Sequence, residues 1–156
     1  MMTGSYCAEA IVIGAGPAGL GVALGLARSG VDVVVLEQQE TPGAVRRGET
    51  LRFDRDMDSI LGKGFFERQT IKKIRKRTYY SHSEANQVNR VILNPNIIIS
   101  WQDFIAAMAE VVRACGVRIW TGATVTSFIK EDGAVSGVRA MVGGFTEEEL
   151  QAKAVF

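Results

Sequence analysis

Histidine, cysteine, net charge and long apolar runs are all in short supply in this chain, and each shortage excludes something. His82 is the single histidine among 156 residues, so no histidine metal cluster can be assembled. Cys7 and Cys115 form neither a C-x-x-C pair nor a metal-ligand spacing, and they read as reduced thiols of a cytosolic protein. The formal net charge is +1, which gives no global attraction to nucleic acid or anionic lipid. The apolar stretches are too short or too rich in glycine to predict a spanning helix. Residues 1–10 lack the basic start of a secretory leader, and no internal repeat is present. What remains, 47% hydrophobic and 22% charged residues, is the composition of a globular domain large enough for one core.

The informative stretch is residues 12–37, VIGAGPAGLGVALGLARSGVDVVVLE. Gly14, Gly16 and Gly19 stand in G-x-G-x-x-G spacing after a strand-like run, Ala10 to Ile13. A helix-like run follows, predicted over Pro17 to Ser29 with Gly30 as its stop. A second apolar strand, Val31 to Leu36, then ends on Glu37. Strand, glycine turn, helix, strand and acid, in that order, form the dinucleotide-binding version of a Rossmann unit. Gly14 permits the sharp turn, Gly16 lets the backbone approach a pyrophosphate, and Gly19 lets helix and strand pack closely. Pro17 suits a first helical turn, where its missing N–H removes nothing. The free N–H groups at that helix start face the phosphates. Glu37 lies 18 residues beyond Gly19, at the offset of the acid that accepts hydrogen bonds from an adenosine ribose diol. Its charge disfavours a 2′-phosphate and hence NADP. Gly21 and Gly25 inside the helix each cost about 1 kcal/mol against alanine, which predicts close packing there against strands or cofactor.

After Glu37 the pattern changes. Gln38 to Thr50 reads as loop, residues 53–62 as a short helix, and Thr70 to Ser83 as a charged strand. Val88 to Ile99 reads as β structure interrupted at Asn94, Pro95 and Asn96. Ser100 and Asp103 have capping-box spacing before an amphipathic helix whose stripe is Phe104, Ile105, Met108, Val111, Val112 and Cys115. Gly116 is its stop. Three strands follow, Val117–Trp120, Ala123–Ile129 and Val135–Val142, the last two joined by a turn at Asp132 and Gly133. Gly143 and Gly144 make a break, TEEELQ reads as a polar connection, and Ala152–Phe156 as the start of another strand.

These residues resemble a family, the FAD-dependent oxidoreductases of the geranylgeranyl reductase and aromatic-ring hydroxylase type. GAGPAG with Glu37 carries the first part of the likeness. Arg47-Gly48-Glu49-Thr50-Leu51 is similar to the GE-x-L segment that follows the ribose acid in geranylgeranyl reductase-like proteins. Asp103 to Val138 is similar to the helix and β-meander placed after the substrate-side insertion. The resemblance implies an α/β fold, a Rossmann-like FAD-binding βαβ unit with an added antiparallel β-meander. Residues 1–52 and 101–156 would form the FAD-binding domain, and 53–100 the insertion or substrate-side segment. It implies FAD as cofactor, held by Gly14, Gly16, Pro17, Ala18, Gly19, Glu37, Gln38, Arg47 and Gly48. Where many relatives carry a nucleotide-holding Arg, this chain has Trp101. The family's second flavin motif, a G-D segment, follows the strand that begins near Ala152, and this chain ends at Phe156. The expectation is therefore an incomplete fold, the amino-terminal portion of a flavoprotein. Its missing carboxy-terminal half is the principal partner, and the chain alone is inactive.

The function so implied is that of a cytoplasmic FAD-binding oxidoreductase acting on a small-molecule or lipid-like substrate. No catalytic acid, base or metal ligand is identifiable. An NAD-binding dehydrogenase domain and a non-catalytic nucleotide-binding module are the alternatives. Arg46 and Arg47 read either as phosphate ligands or as a solvated loop pairing with Glu49. The basic run Lys72, Lys73, Arg75, Lys76, Arg77, followed by Tyr79 and Tyr80, reads first as a solvated edge strand. A peripheral contact with an anionic membrane is the alternative, and no nucleic-acid partner is expected. His82 reads as an exposed strand or loop residue, Cys115 as core, and Trp101 and Trp120 as core or rim.

Overall fold

The structure, a computed structural model, describes residues 6–44, 48–52, 57–83 and 85–156. In chain order the elements are β1 (Tyr6–Ile13), α1 (Pro17–Arg28), β2 (Val33–Leu36), β3 (Gly48–Arg52), α2 (Met57–Leu61), α3 (Phe65–Gln69), β4 (Lys72–Tyr80), β5 (Gln87–Ser100), α4 (Trp101–Ala114), β6 (Arg118–Trp120), β7 (Ala123–Glu131), β8 (Ala134–Val142) and β9 (Thr146–Val155). They form two compact units, Met1–Ala44 with Ile105–Phe156, and Val45–Phe104.

The first unit is built on a six-stranded sheet of order β6-β2-β1-β9-β8-β7. β1 pairs in parallel with β2, from Ala10↔Val33 to Ile13↔Leu36, and with β9, from Tyr6↔Leu150 to Ile11↔Val155. β2 also pairs in parallel with β6, whereas β7, β8 and β9 form an antiparallel meander. β2 is buried at all four positions, as expected of a parallel strand covered on both faces. On one face α1 brings Leu20, Ala23 and Leu24 to β1 and β2. On the other, Ile11, Val34 and Leu36 pack with Ala123, Val138, Ala140 and Leu150 of the meander. Each large side chain so buried contributes about 1.5–3 kcal/mol. At the sheet's amino end, Arg118 donates to both oxygens of Asp32, at 2.5 and 2.7 Å, and lies over the Tyr6 ring. Tyr6 in turn meets Trp120 edge-on, with centroids 4.8 Å apart. Glu9 accepts from Lys153 and from the Asp32 amide, and these bonds hold its carboxyl below the usual carboxylate range.

The second unit has a three-stranded antiparallel sheet of order β3-β5-β4. Gly48 to Arg52, which read as loop and nucleotide-domain sequence, is strand β3, paired with β5 from Gly48↔Ser100 to Arg52↔Asn96. Ile97 and Ile99 are fully buried, and Phe65, Phe66 and Phe104 form an aromatic cluster with centroids 5.5–6.0 Å apart. α3, which supplies two of these rings, had no sequence expectation because it spans only five residues.

Several expectations need correction. Asn94-Pro95-Asn96 does not interrupt β5. The register against β4 jumps from Ile74↔Asn96 to Lys76↔Val91, so Pro95 falls in a bulge, where its missing N–H breaks no ladder bond. TEEELQ is not a connection but most of β9, its alternation hidden because only Leu150 among those six positions is fully buried. Cys115 is exposed, beyond the end of the α4 stripe. Gly21 and Gly25 do not pack against the strands: a Cβ at either would meet no atom of the described residues within 4 Å. The turn at Asp132 and Gly133 has positive φ at both residues, 50° and 81°, the hairpin geometry its sequence predicts. Leu150→Ala is therefore expected to lower unfolding free energy by about 2–5 kcal/mol. Gly21→Ala is expected to raise it by up to about 1 kcal/mol. Urea denaturation of the three proteins measures both.

Candidate functional site

The site begins where β1 ends. Gly14 adopts φ +96°, a conformation that L side chains resist, and its N–H still donates to Leu36 O at 2.8 Å. The chain thus leaves the sheet immediately after its last ladder bond. Ala15 is buried, and Gly16 is the N-cap of α1 with no side chain capping it. Pro17 and Ala18 open the helix on its exposed side. A Cβ at Gly19 would collide with the Gly14 carbonyl oxygen and press on Val12 Cγ1 at 3.3 Å. Only glycine lets α1 sit this closely on its own turn. A Cβ at Gly16, by contrast, would meet nothing within 4 Å. The open side of the turn therefore lies where unpaired N–H groups and the positive end of the helix dipole converge.

Glu37 closes the other side. It is 9% exposed, and its two carboxylate oxygens accept different amides: Oε2 from Ala15 N at 2.7 Å, and Oε1 from Gln39 N at 2.9 Å. Its own N–H donates to Trp120 O, and its carbonyl accepts from Ala123 N, so backbone and side chain are held together. An ionised carboxylate has about four acceptor positions, and two remain for a diol. Beside it lies a recess of about 230 Å³ lined by Ile13, Gly14, Leu36, Glu37, Gln38, Ala123, Thr124 and Val125. The structure brings Gly14, Gly16, Pro17, Ala18, Gly19, Glu37 and Gln38 together around this turn. Ala123, Thr124 and Val125 had no sequence signal, since they reach the recess only because β7 starts beside the end of β2.

Arg46 and Arg47 lie outside the described residues. Gly48 opens β3 opposite Ser100 in the second unit. His82 is exposed in the turn after β4. Among the described residues no group of three His, Cys, Asp or Glu side chains could hold a metal ion, and no helix is long and apolar enough to cross a membrane.

An extended adenine dinucleotide fits these features: a helix mouth with donors only, an open glycine cradle for the pyrophosphate, and an acid beside a recess for the ribose. The class defined is a Rossmann-type dinucleotide-binding fold in which β9 returns beside β1, placing the cradle where the sheet's connections change direction. The chain belongs to the FAD binding domain family, which matches residues 7–155, and the cofactor is accordingly FAD. No curated protein sequence matches it. Among solved structures it is similar to a geranylgeranyl bacteriochlorophyll reductase-like protein from Thermoplasma acidophilum, with TM-score 0.85 and 21% identity over 97% of this chain and 39% of that one. It is also similar to the flavin-dependent brominase Bmp2, with TM-score 0.80 and 20% identity over 96% of this chain and 37% of that one. For p-nitrophenol 4-monooxygenase PnpA from Pseudomonas putida the TM-score is 0.77, with 18% identity over 97% of this chain and 40% of that one. The chain thus spans about two-fifths of the length of these structures.

Glu37→Ala should destabilise the protein even without nucleotide. It leaves the Ala15 N–H buried without its acceptor, at a cost of about 1–3 kcal/mol readable by thermal or urea unfolding of the nucleotide-free chain.

Proposed function

We propose that these residues form the cofactor-binding part of an FAD-dependent oxidoreductase acting on a small-molecule or lipid-like substrate. The observation that carries this reading is the Glu37 carboxylate, fixed on the Ala15 amide beside an uncapped, glycine-lined helix mouth. The amino end of α1 would receive the pyrophosphate, Glu37 would accept from the adenosine ribose, and the recess beside Gln38 would take the adenosine side. Bound flavin supplies the electron transfer, while this chain binds and orients it. Placement of the acid before binding removes an ordering cost that a mobile side chain would bring. No described side chain is assigned an acid or base role. The chain by itself is proposed to bind without turnover, with the rest of the same polypeptide as its partner, because it spans only about two-fifths of its flavoprotein neighbours. The two exposed free cysteines support a reducing, cytoplasmic setting.

Titration of the purified chain with FAD, followed by visible absorbance and flavin fluorescence, tests this. A saturable spectral change is expected, and Glu37→Ala should weaken it by roughly 5- to 150-fold, the equivalent of about 1–3 kcal/mol. NAD binding with no response to FAD would assign the site to a dehydrogenase domain instead. ADP-ribose should compete with FAD, and its 2′-phosphate derivative about tenfold less well or worse, because that phosphate would face the Glu37 carboxylate.

A further inference from the structure

Beyond the register jump between Ile74 and Lys76, β4 and β5 continue as a two-stranded ribbon, from Lys76↔Val91 to Tyr80↔Gln87. Every residue in it is exposed except Thr78, which is half-buried. A two-stranded ribbon with both faces in water is marginal on its own. This one also sets two arginines at directly opposite register positions, Arg77↔Arg90, a like-charge pair that costs stability unless an anion lies on it. Strand alternation puts the next pair, Tyr79↔Val88, on the same face. Tyr79 is 52% exposed and Val88 64%. On the opposite face Lys76 stands with Tyr80 and Val91, both largely exposed. Lys73 is taken up by Glu67, but Arg75, Lys76, Arg77 and Arg90 make no ion pair with any described residue. From Ile71 to Val91 the sequence holds six basic residues and one acid, Glu84.

We propose that this ribbon docks on an anionic lipid surface, Arg77 and Arg90 sharing lipid phosphate and Tyr79 and Val88 seated among the headgroups. Cations alone would suit nucleic acid equally well. The apolar side chains on that face decide between them: Val88 and the ring of Tyr79 gain by leaving water where an apolar phase receives them. Tyrosine, with an apolar ring and a polar tip, suits the same interface. The net charge of +1 leaves the attraction local to this ribbon. The inference goes beyond the flavin reading and does not depend on it.

Cosedimentation of the full chain with vesicles tests it, and that assay does not read flavin. Phosphatidylcholine vesicles containing phosphatidylserine should retain the protein at low salt and release it at high salt, and phosphatidylcholine alone should not retain it. Arg77→Ser with Arg90→Ser should reduce partitioning about thirtyfold, the effect of two interfacial cations. Tyr79→Ser with Val88→Ser should weaken binding while leaving its salt dependence unchanged. Arg28→Ser with Lys130→Ser, which removes the same charge elsewhere, should leave binding unaltered. The proposal is overturned by no retention on phosphatidylserine vesicles, or by equal retention on phosphatidylcholine alone. An Arg77/Arg90 variant that binds as well as the parent, or an equal loss in the Arg28/Lys130 variant, also overturns it. Retention on a single-stranded oligonucleotide but not on vesicles assigns the face to nucleic acid. A concentration-dependent dimer abolished by the arginine substitutions assigns it to a second copy of the chain, and either result displaces the lipid.

Discussion

The hydrogen bond from the Ala15 amide to Glu37 Oε2 ties together the two parts on which the first unit's chemistry depends. Ala15 belongs to the turn that launches α1, and Glu37 to the end of the neighbouring strand, 22 residues on. With Gln39 N–H on the other oxygen, the carboxylate is oriented by the backbone alone. It satisfies a buried amide that the glycine turn would otherwise leave without a partner. The acid is thus a structural brace, and the lone pairs left over from these two bonds are the ones proposed to accept from a ribose.

The brace works because the surrounding sheet is dry and well paired. β2 is buried on both faces, so its position relative to β1 is set by packing as well as by the ladder. β9 then pairs on the far side of β1, and Phe156 continues the bonding through Ile11 O and Ile13 N. With β1 flanked by parallel neighbours reached from opposite directions, the crevice at its carboxyl end is held open by topology. The meander contributes the wall of the adjoining recess through Ala123 to Val125, and its apolar face completes the core around Ile11, Val34 and Leu36.

The second unit follows a different design. Its interior is a short aromatic cluster with two buried isoleucines, whereas its long ribbon keeps nearly all of its side chains in water. A chain that spends Val88, Val91 and two tyrosines on such a surface departs from the pattern that governs the rest of it. Local departures of this kind concentrate where something other than folding is served.

Local chemistry made the βαβ unit legible in the amino-acid sequence. Gly14 needs a positive φ, Gly19 has no room for a methyl group, Pro17 starts a helix, and Glu37 ends a buried strand. Each of these demands acts within about one turn or one strand and leaves its mark on residue type. The hairpin at Asp132 and Gly133 and the stripe of α4 were readable for the same reason. What only the tertiary structure decided depends on partners distant in sequence. β9 is a strand despite three glutamates because β1 and β8 supply its ladders, and β5 runs through Pro95 because a bulge absorbs it. Ala123, Thr124 and Val125 border the recess because β7 begins beside Glu37. Ladder bonds and proximity join backbone to backbone and ask little of side-chain identity, so the residues that make them carry no sign of it.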